Sequence, residues 1–313
     1  MTWSGSEVGV LARAVSHAPS VHDTQPWTLE ALADSAELYE RSEVTLPHHD
    51  PGGRDRMISC GAALTNLELA VRALGWDTET VEFPDAARPD LVARVRAGGR
   101  RETTETEVER YAAIFRRHSH RAPFSLHPVS RKTLRALADV PAEPGVQARV
   151  IEPRTECATL AELFDYAALV VRDDRAYQRE LSSWCVGPRD TTLPWGGLVR
   201  ADTHVPDPVT LTERLMQEGI LMLLTPDDGR REHLRAGAVM EQIWLAAINR
   251  GLVASVLTQP LHLHEVRAGL IERLHLAGYP QLFLRLGHPV STSGHEVTGE
   301  QAHRLLTGTP SPS

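Results

Sequence analysis

One helical segment of this 313-residue chain occurs twice. Residues 61–75 and 237–251 align without a gap at an offset of 176 (237 − 61 = 176), and five aligned positions are identical, including the glycine at each end. Each copy is followed by a Pro-x-Leu-x-x-Arg segment, beginning at Pro89 and at Pro280. A chain that carries one unit twice can form within a single molecule an interface that other proteins form by dimerising. The alternative is two unrelated Ala- and Leu-rich helices that each end at a glycine.

The pattern around this repeat predicts alternating helices and strands. Apolar periodicity predicts helices at residues 7–17 and 59–74, and the segment at 27–39 is typical of extended chain with a turn. The glycine and arginine cluster at 98–101 marks the end of the first half. We therefore expect two intertwined halves in one compact unit, residues 1–104 and 105–313.

The charge and cysteine content narrow the function class. The net charge is −8, and proteins that bind nucleic acid need basic surface to neutralise phosphates. No apolar run approaches the ~20 residues that span a bilayer, and the first seven residues lack the pattern of a signal peptide. The three cysteines are widely spaced, which favours free thiols in the cytoplasm. Lys132 is the only lysine, so an anionic ligand would be bound by arginine.

The first candidate binding segment is residues 18–27. Pro19 and Pro26 restrict the backbone on either side of short polar residues. We expect the backbone N–H groups after Ser20, together with the Gln25 amide, to suit the pyrimidine edge of a planar heterocycle. The alternative is a polar turn capped by a core tryptophan, Trp27.

The second candidate segment is residues 116–124, at the end of a predicted helix. Three guanidiniums, two imidazoles and a hydroxyl fall within six residues. Arginine forms bidentate, charge-assisted hydrogen bonds with phosphate, so this density predicts a phosphate site. The alternative is a solvated basic helix end that the helix dipole stabilises.

In order and spacing, these segments resemble the signatures of the flavin-dependent nitroreductase superfamily. The matching segments are Pro19-Ser20 with Gln25-Pro26-Trp27, Arg117-His118-Ser119-x-Arg121, and residues 251–260. The double length and the repeated core helix are similar to the Acg-type branch of that superfamily. The resemblance covers roughly residues 8–290. It implies a nitroreductase-like α+β fold, with a mixed or antiparallel sheet flanked by helices and an internal pseudo-twofold repeat that mimics the family's homodimer.

The resemblance also implies one FMN per chain, held between the two halves. The second half would take the phosphate, the ribityl chain and the pyrimidine edge, and backbone groups after the core helix would approach the flavin N5. The implied contacts are Pro19, Ser20, Asp23 and Gln25 in the first half and Arg117, His118, Ser119, Arg121, Thr258 and Gln259 in the second. The family usually has Asn where this chain has Asp23. An ionised carboxylate donates no hydrogen bond and repels a reduced, anionic flavin.

The implied function is an FMN-dependent oxidoreductase that passes hydride from NAD(P)H, a transient reductant, to a small aromatic acceptor such as a nitro compound or a quinone. The flavin carries this chemistry, so no catalytic side chain is required. One alternative is a non-catalytic protein that stores FMN beneath a lid formed by the loop at 185–208, and another is a relative without flavin. We expect a monomer, because a built-in pseudo-dimer removes the usual reason to dimerise.

Two histidine-containing segments raise the question of a metal. His262-x-His264 lacks a second pair of ligands, and His48-His49-Asp50 falls in a polar segment expected to be a solvated loop. We therefore expect no metal site. Cys60 could have a lowered thiol pKa near a helix N-terminus, or it could be a small buried apolar residue.

Overall fold

The computed structural model describes residues 3–140, 143–184 and 199–290. The first half contributes one four-stranded antiparallel sheet with strand order β1-β2-β4-β3. Its elements are α1 (Gly5–Ser16), β1 (Trp27–Ala31), β2 (Ser35–Glu40), α2 (Arg54–Ala73), β3 (Trp76–Glu82) and β4 (Leu91–Arg100). A short 3-10 helix, Val21–Asp23, precedes β1.

The second half contributes another antiparallel sheet with the matching order β5-β6-β8-β7. Its elements are α3 (Glu105–Ile114), α4 (Arg131–Ala138), β5 (Gln147–Val150), α5 (Pro153–Asp173), α6 (Arg175–Trp184), α7 (Pro208–Met216), β6 (Gly219–Thr225), α8 (Arg230–Ile248), β7 (Val253–Leu257), α9 (His264–Arg273) and β8 (Tyr279–Gly287). A second 3-10 helix, Gln259–His262, follows β7.

The α+β class is confirmed, and the strands divide between two sheets instead of forming one. Helix α2 packs on the first sheet, α8 packs on the second, and the two helices pack against each other. Most residues of both helices are buried. This agrees with their apolar residues occupying most of the helix circumference. The proposed boundary between the halves, at residues 104 and 105, falls between β4 and α3.

The α2–α8 contact is reciprocal, and the repeated glycines permit it. A Cβ atom on Gly61 would overlap the carbonyl oxygen of Leu234, and a Cβ atom on Gly237 would overlap that of Ile58. Leu234 and Ile58 are themselves 176 positions apart, as the two glycines are. In a twofold-symmetric interface, residue i of one partner contacts residue j of the other, and residue j of the first contacts residue i of the second. The geometry supports the predicted internal repeat.

The largest hydrophobic core lies around these two helices and includes residues from both sheets. A smaller core lies between α5, α7, α9 and the second sheet. No helix in the described part of the chain is long and apolar enough to span a membrane. Of the loop predicted at 185–208 to form a lid, residues 185–198 lie outside the described residues.

Candidate cofactor site at the junction of the two halves

The segment between α1 and β1 contains three strained residues. His22, Asp23 and Gln25 have φ values of 49°, 57° and 44°, in the left-handed region that non-glycine residues rarely adopt. The segment is attached to α2, because the Val21 N–H donates to the Ser59 hydroxyl at 3.1 Å. Strain of this kind persists only where the surrounding structure enforces it, and it concentrates at functional sites.

Several polar groups of this segment close the loop on itself. The Ser20 hydroxyl accepts a hydrogen bond from the Gln25 N–H at 3.0 Å, and the Gln25 side-chain amide donates to the Ser16 carbonyl at 3.1 Å. These contacts hold the loop conformation, and the predicted contact of this segment with a heterocycle stays a prediction. Pro19 is half-buried and the Asp23 side chain is exposed.

Arg117, in the second binding segment, contacts His17, the residue directly before the first segment. Its Nη2 donates to the His17 carbonyl at 2.9 Å, and its Nε lies 3.6 Å from a carboxylate oxygen of Glu241. The guanidinium also lies over the Trp244 ring, 4.7 Å from the centroid, and the side chain is only 10% exposed. Arg117 therefore lies between the two segments and the core, where it is suited to positioning them.

The residues after Arg117 run along the edge of the second sheet. Ser119 pairs with Ala254 of β7 in an isolated parallel bridge, and the His120 N–H donates to the Ala254 carbonyl at 2.9 Å. His118 and Arg121 are exposed. Among the described residues, the Arg121 guanidinium makes no hydrogen bond or ion pair. It is thus better placed than Arg117 to take an anion.

The pKa of His22, in the strained segment of the first half, responds to several neighbouring groups. Burial is the main cause that lowers the pKa of His22 to about 3. The imidazoles of His49 and His262 and the guanidinium of Arg121 lower this pKa further, while Asp55 opposes them. The two predicted binding segments lie next to each other, because Arg117 of the second donates to the carbonyl of His17, the residue directly before the first.

Thr258 and Gln259 form the third predicted segment, at the end of β7. The Thr258 hydroxyl donates to the Asp55 carboxylate. The Gln259 side chain is buried, donates to the Tyr177 hydroxyl and accepts from the Val199 N–H at 3.2 Å. Within the described residues, the backbone N–H groups of Thr258 and Gln259 donate no hydrogen bond, which leaves them available for the predicted contact to the flavin ring.

A buried ion pair attaches this third segment to the N-terminus of α2. Arg54 lies 3.2 Å from an Asp55 carboxylate oxygen and donates to the carbonyls of Leu261 at 2.9 Å and Thr258 at 3.2 Å. Burial alone would raise the pKa of Asp55, but the neighbouring His262 and Arg54 hold it well below its usual range. Both residues of the pair lie before residue 59, where apolar periodicity predicts the helix to begin, yet they form its first turn.

Three histidines, His22, His49 and His262, form a cluster with this ion pair. The expectation of a solvated loop at His48-His49-Asp50 is wrong for two of its three residues. His49 and Asp50 are buried, and only His48 is exposed. The His49 ring contacts the rings of His22 and His262 at centroid distances of 4.4 and 4.5 Å. No local motif could have revealed this cluster, because its members come from three separate stretches of sequence.

The sequence allows two roles for Cys60, a thiol with a lowered pKa or a small buried apolar residue. The structure shows the second. It is fully buried, and burial raises the pKa of its thiol. Helix α2 begins at Arg54, so Cys60 lies beyond the first turn, where the effect of the helix N-terminus has faded.

The residues at the junction fit FMN in most respects. An exposed arginine and an exposed serine hydroxyl suit a phosphate or a pyrimidine carbonyl, and two available N–H groups suit a flavin ring. The Asp23 carboxylate is the exception, since it brings a negative charge to a site for an anion.

The comparisons with known proteins agree with the predicted family. The chain is 30% identical over 294 residues to a Mycobacterium tuberculosis H37Rv protein provisionally named an NAD(P)H nitroreductase, covering 89% of this chain and 83% of that protein. It is 28% identical to the NAD(P)H nitroreductase named acg, also provisionally, from the same strain, covering 86% and 85% of the two chains. No family model matches the chain. The chain belongs to the nitroreductase family.

Solved structures of similar proteins align more weakly. An FMN-bound nitroreductase from Bacteroides fragilis aligns with a TM-score of 0.41 and 13% identity, covering 61% of this chain and 93% of that chain. The FMN-dependent nitroreductase NfnB of Mycobacterium smegmatis, solved with NADPH, aligns with a TM-score of 0.39 and 14% identity, covering 67% and 95%.

Proposed function

We propose that this chain is an FMN-dependent oxidoreductase that transfers hydride from NAD(P)H to a small aromatic acceptor, a nitro compound or a quinone. Membership of the nitroreductase family supports the proposal. The observation that carries it is convergence. Val21 of the first segment and Thr258 of the third both hydrogen-bond to residues near the start of α2, and Arg117 of the second donates to the His17 carbonyl, directly before the first.

Bound FMN would supply the hydride chemistry, accepting hydride from NAD(P)H and passing it on. Arg121 and the Ser119 hydroxyl would bind the anionic and carbonyl groups of the cofactor. The N–H groups of Thr258 and Gln259 would donate to the ring, and preorganised donors of this kind stabilise negative charge that develops during a reaction. Arg54 and the strained 22–25 loop would hold these groups in place.

We further propose that the chain acts as a cytoplasmic monomer. The reciprocal packing of α2 and α8 already provides within one chain the kind of interface that a homodimer would supply. Cys60 and Cys157 are buried free thiols, as expected in a reducing compartment.

The visible spectrum of the purified chain and an anaerobic titration with NADPH or NADH test the proposal. We expect a yellow protein whose flavin absorption bleaches on addition of a nicotinamide and returns on addition of a nitroaromatic or a quinone. A colourless protein that does not take up added FMN would contradict the cofactor assignment. Bleaching by dithionite but by neither nicotinamide would contradict hydride transfer.

A further inference from the structure

Three buried side chains at the junction bring metal-binding atoms together. The Asp55 Oδ2 lies 3.1 Å from His262 Nε2 and 3.4 Å from His49 Nε2. One possible ligand atom from each residue lies within 4.8 Å of the other two. In a tetrahedral site with metal–ligand bonds of about 2.0–2.1 Å, neighbouring ligand atoms are about 3.3 Å apart. One ion can therefore reach all three.

The surrounding contacts hold two of these ligands in orientation. The Nδ1 of His49 lies 3.2 Å from the Tyr177 hydroxyl, which leaves Nε2 directed at Asp55. Arg54 donates to the other Asp55 oxygen, Oδ1, through Nε at 3.3 Å and Nη2 at 3.2 Å. Partners that bind the far side of a metal ligand are a regular feature of protein metal sites. The ligands are also well shielded, with exposures of 3% for His49 and Asp55 and 13% for His262.

We propose that His49, Asp55 and His262 form a binding site for one divalent transition-metal ion of the zinc type. Two imidazole nitrogens and one carboxylate oxygen match the three protein ligands of zinc sites that keep a fourth position open. His49 and Asp55 belong to the first half of the chain and His262 to the second. The ion would therefore link the two halves beside Thr258 and Gln259.

The charge balance sets the expected strength of this site. Asp55 is its only anionic ligand, and Arg54 already neutralises that charge. The imidazoles bind as neutral ligands, so the ion would leave a net positive charge in a buried place. We therefore expect weaker binding than in sites with two or more anionic ligands.

Zinc titration of the full-length, chelator-treated protein by calorimetry tests the proposal. The chain offers matched controls, because His48 and His264 are exposed histidines one and two positions from the proposed ligands. We expect one zinc ion per chain, with affinity reduced at least about 100-fold in His49→Ala and in His262→Ala. His48→Ala and His264→Ala should bind as the wild type does.

Cobalt(II) binding to the wild-type chain keeps the proposal testable if a ligand variant fails to fold. Cobalt should produce visible absorption bands at wavelengths longer than those of flavin, and zinc should displace them. Absence of stoichiometric zinc binding, absence of the cobalt bands, or equal weakening in the ligand and control variants would each overturn the proposal. None of these measurements depends on FMN, so they are separate from the test of the redox function.

Discussion

Glu241 is a carboxylic acid enclosed in the core between α8 and α2. It is fully buried, and its two carboxyl oxygens have no hydrogen-bond partner among the described residues. Burial raises its pKa from 4.5 to about 7, against the opposing charge of the nearby Arg117 guanidinium. Because the folded pKa exceeds the unfolded one, this group contributes its full stability below pH 4.5. It loses that contribution as the pH rises through about 7.

The Glu241→Gln variant should remove this pH dependence. A pKa rise from 4.5 to about 7 corresponds to roughly 3 kcal/mol in the free energy of unfolding. Urea denaturation at a series of pH values would show the wild type losing up to this amount between about pH 4.5 and pH 7, while the variant loses about that much less over the same range. Glu109→Gln, an exposed change on α3, should follow the wild type. Equal pH dependence in Glu241→Gln would show that another group is responsible.

Arg121 and Arg116 differ in whether the side chain already has a hydrogen-bond partner, so comparing them tests which arginine binds FMN. Arg116 already donates to Asn249, whereas Arg121 has no such partner among the described residues. We expect Arg121→Ala to weaken FMN binding by about 1.5–3 kcal/mol, the usual value of a hydrogen bond to a charged group. Arg116→Ala should have little effect on it. Fluorescence titration of the stripped protein with FMN measures both, and equal affinities would mean that the anion lies elsewhere.

Helices α2 and α8 depend on the two repeated glycines for their close approach. A Cβ atom on Gly61 would lie 2.8 Å from the Ala238 amide nitrogen, and one on Gly237 would lie 2.8 Å from the Ile58 Cα. Backbone cannot rotate away as a side chain can, so the helices would have to separate.

Gly61→Ala and Gly237→Ala should each lower the free energy of unfolding by about 3 kcal/mol or more. Gly9→Ala, in the exposed part of α1 with no atom near the new Cβ, should instead raise it by about 0.5–1 kcal/mol. Chemical denaturation measures all three. A mild effect at Gly61 and Gly237 would contradict the close helix contact.

The start of α2 shows why element boundaries are difficult to predict from sequence. Residues 47–56 are polar and rich in proline and glycine, as loops are, yet α2 already includes Arg54 and Asp55. Partners from distant segments satisfy these polar groups, including the Leu261 carbonyl and the Thr258 hydroxyl. Apolar periodicity cannot detect such partners, so the predicted start at Ser59 came five residues late.

At the scale of the whole molecule, the contact between the two halves occurs at two equivalent positions, but different residue types form it at each. In one half-to-half contact, Asp55 pairs with Thr258 beside the predicted flavin segment. The equivalent positions, 176 residues away in each case, are Arg231 and Glu82, which form an ion pair at 2.9 Å. Arg235 also pairs with Glu82. Ion pairs therefore occupy the location where the repeat would place a second flavin segment.

We accordingly expect one FMN per chain and not two. The ratio of flavin absorbance to protein concentration, measured after saturation with FMN and removal of the excess, tests this expectation directly. Light scattering on the same sample gives the number of chains per particle. A ratio near two would mean that the Arg231–Glu82 end also binds a flavin.

The sequence by itself determined the repeated core helix, the α+β class and the family, because these depend on local periodicity, on backbone restrictions at proline and glycine, and on short motifs. Tertiary structure decided which groups of those motifs are available: Arg117 is engaged at the core, whereas Arg121 is exposed. It also brought His49, Asp55 and His262 together across more than two hundred residues. Such contacts depend on how α2 and α8 pack, and no stretch of sequence contains that information by itself.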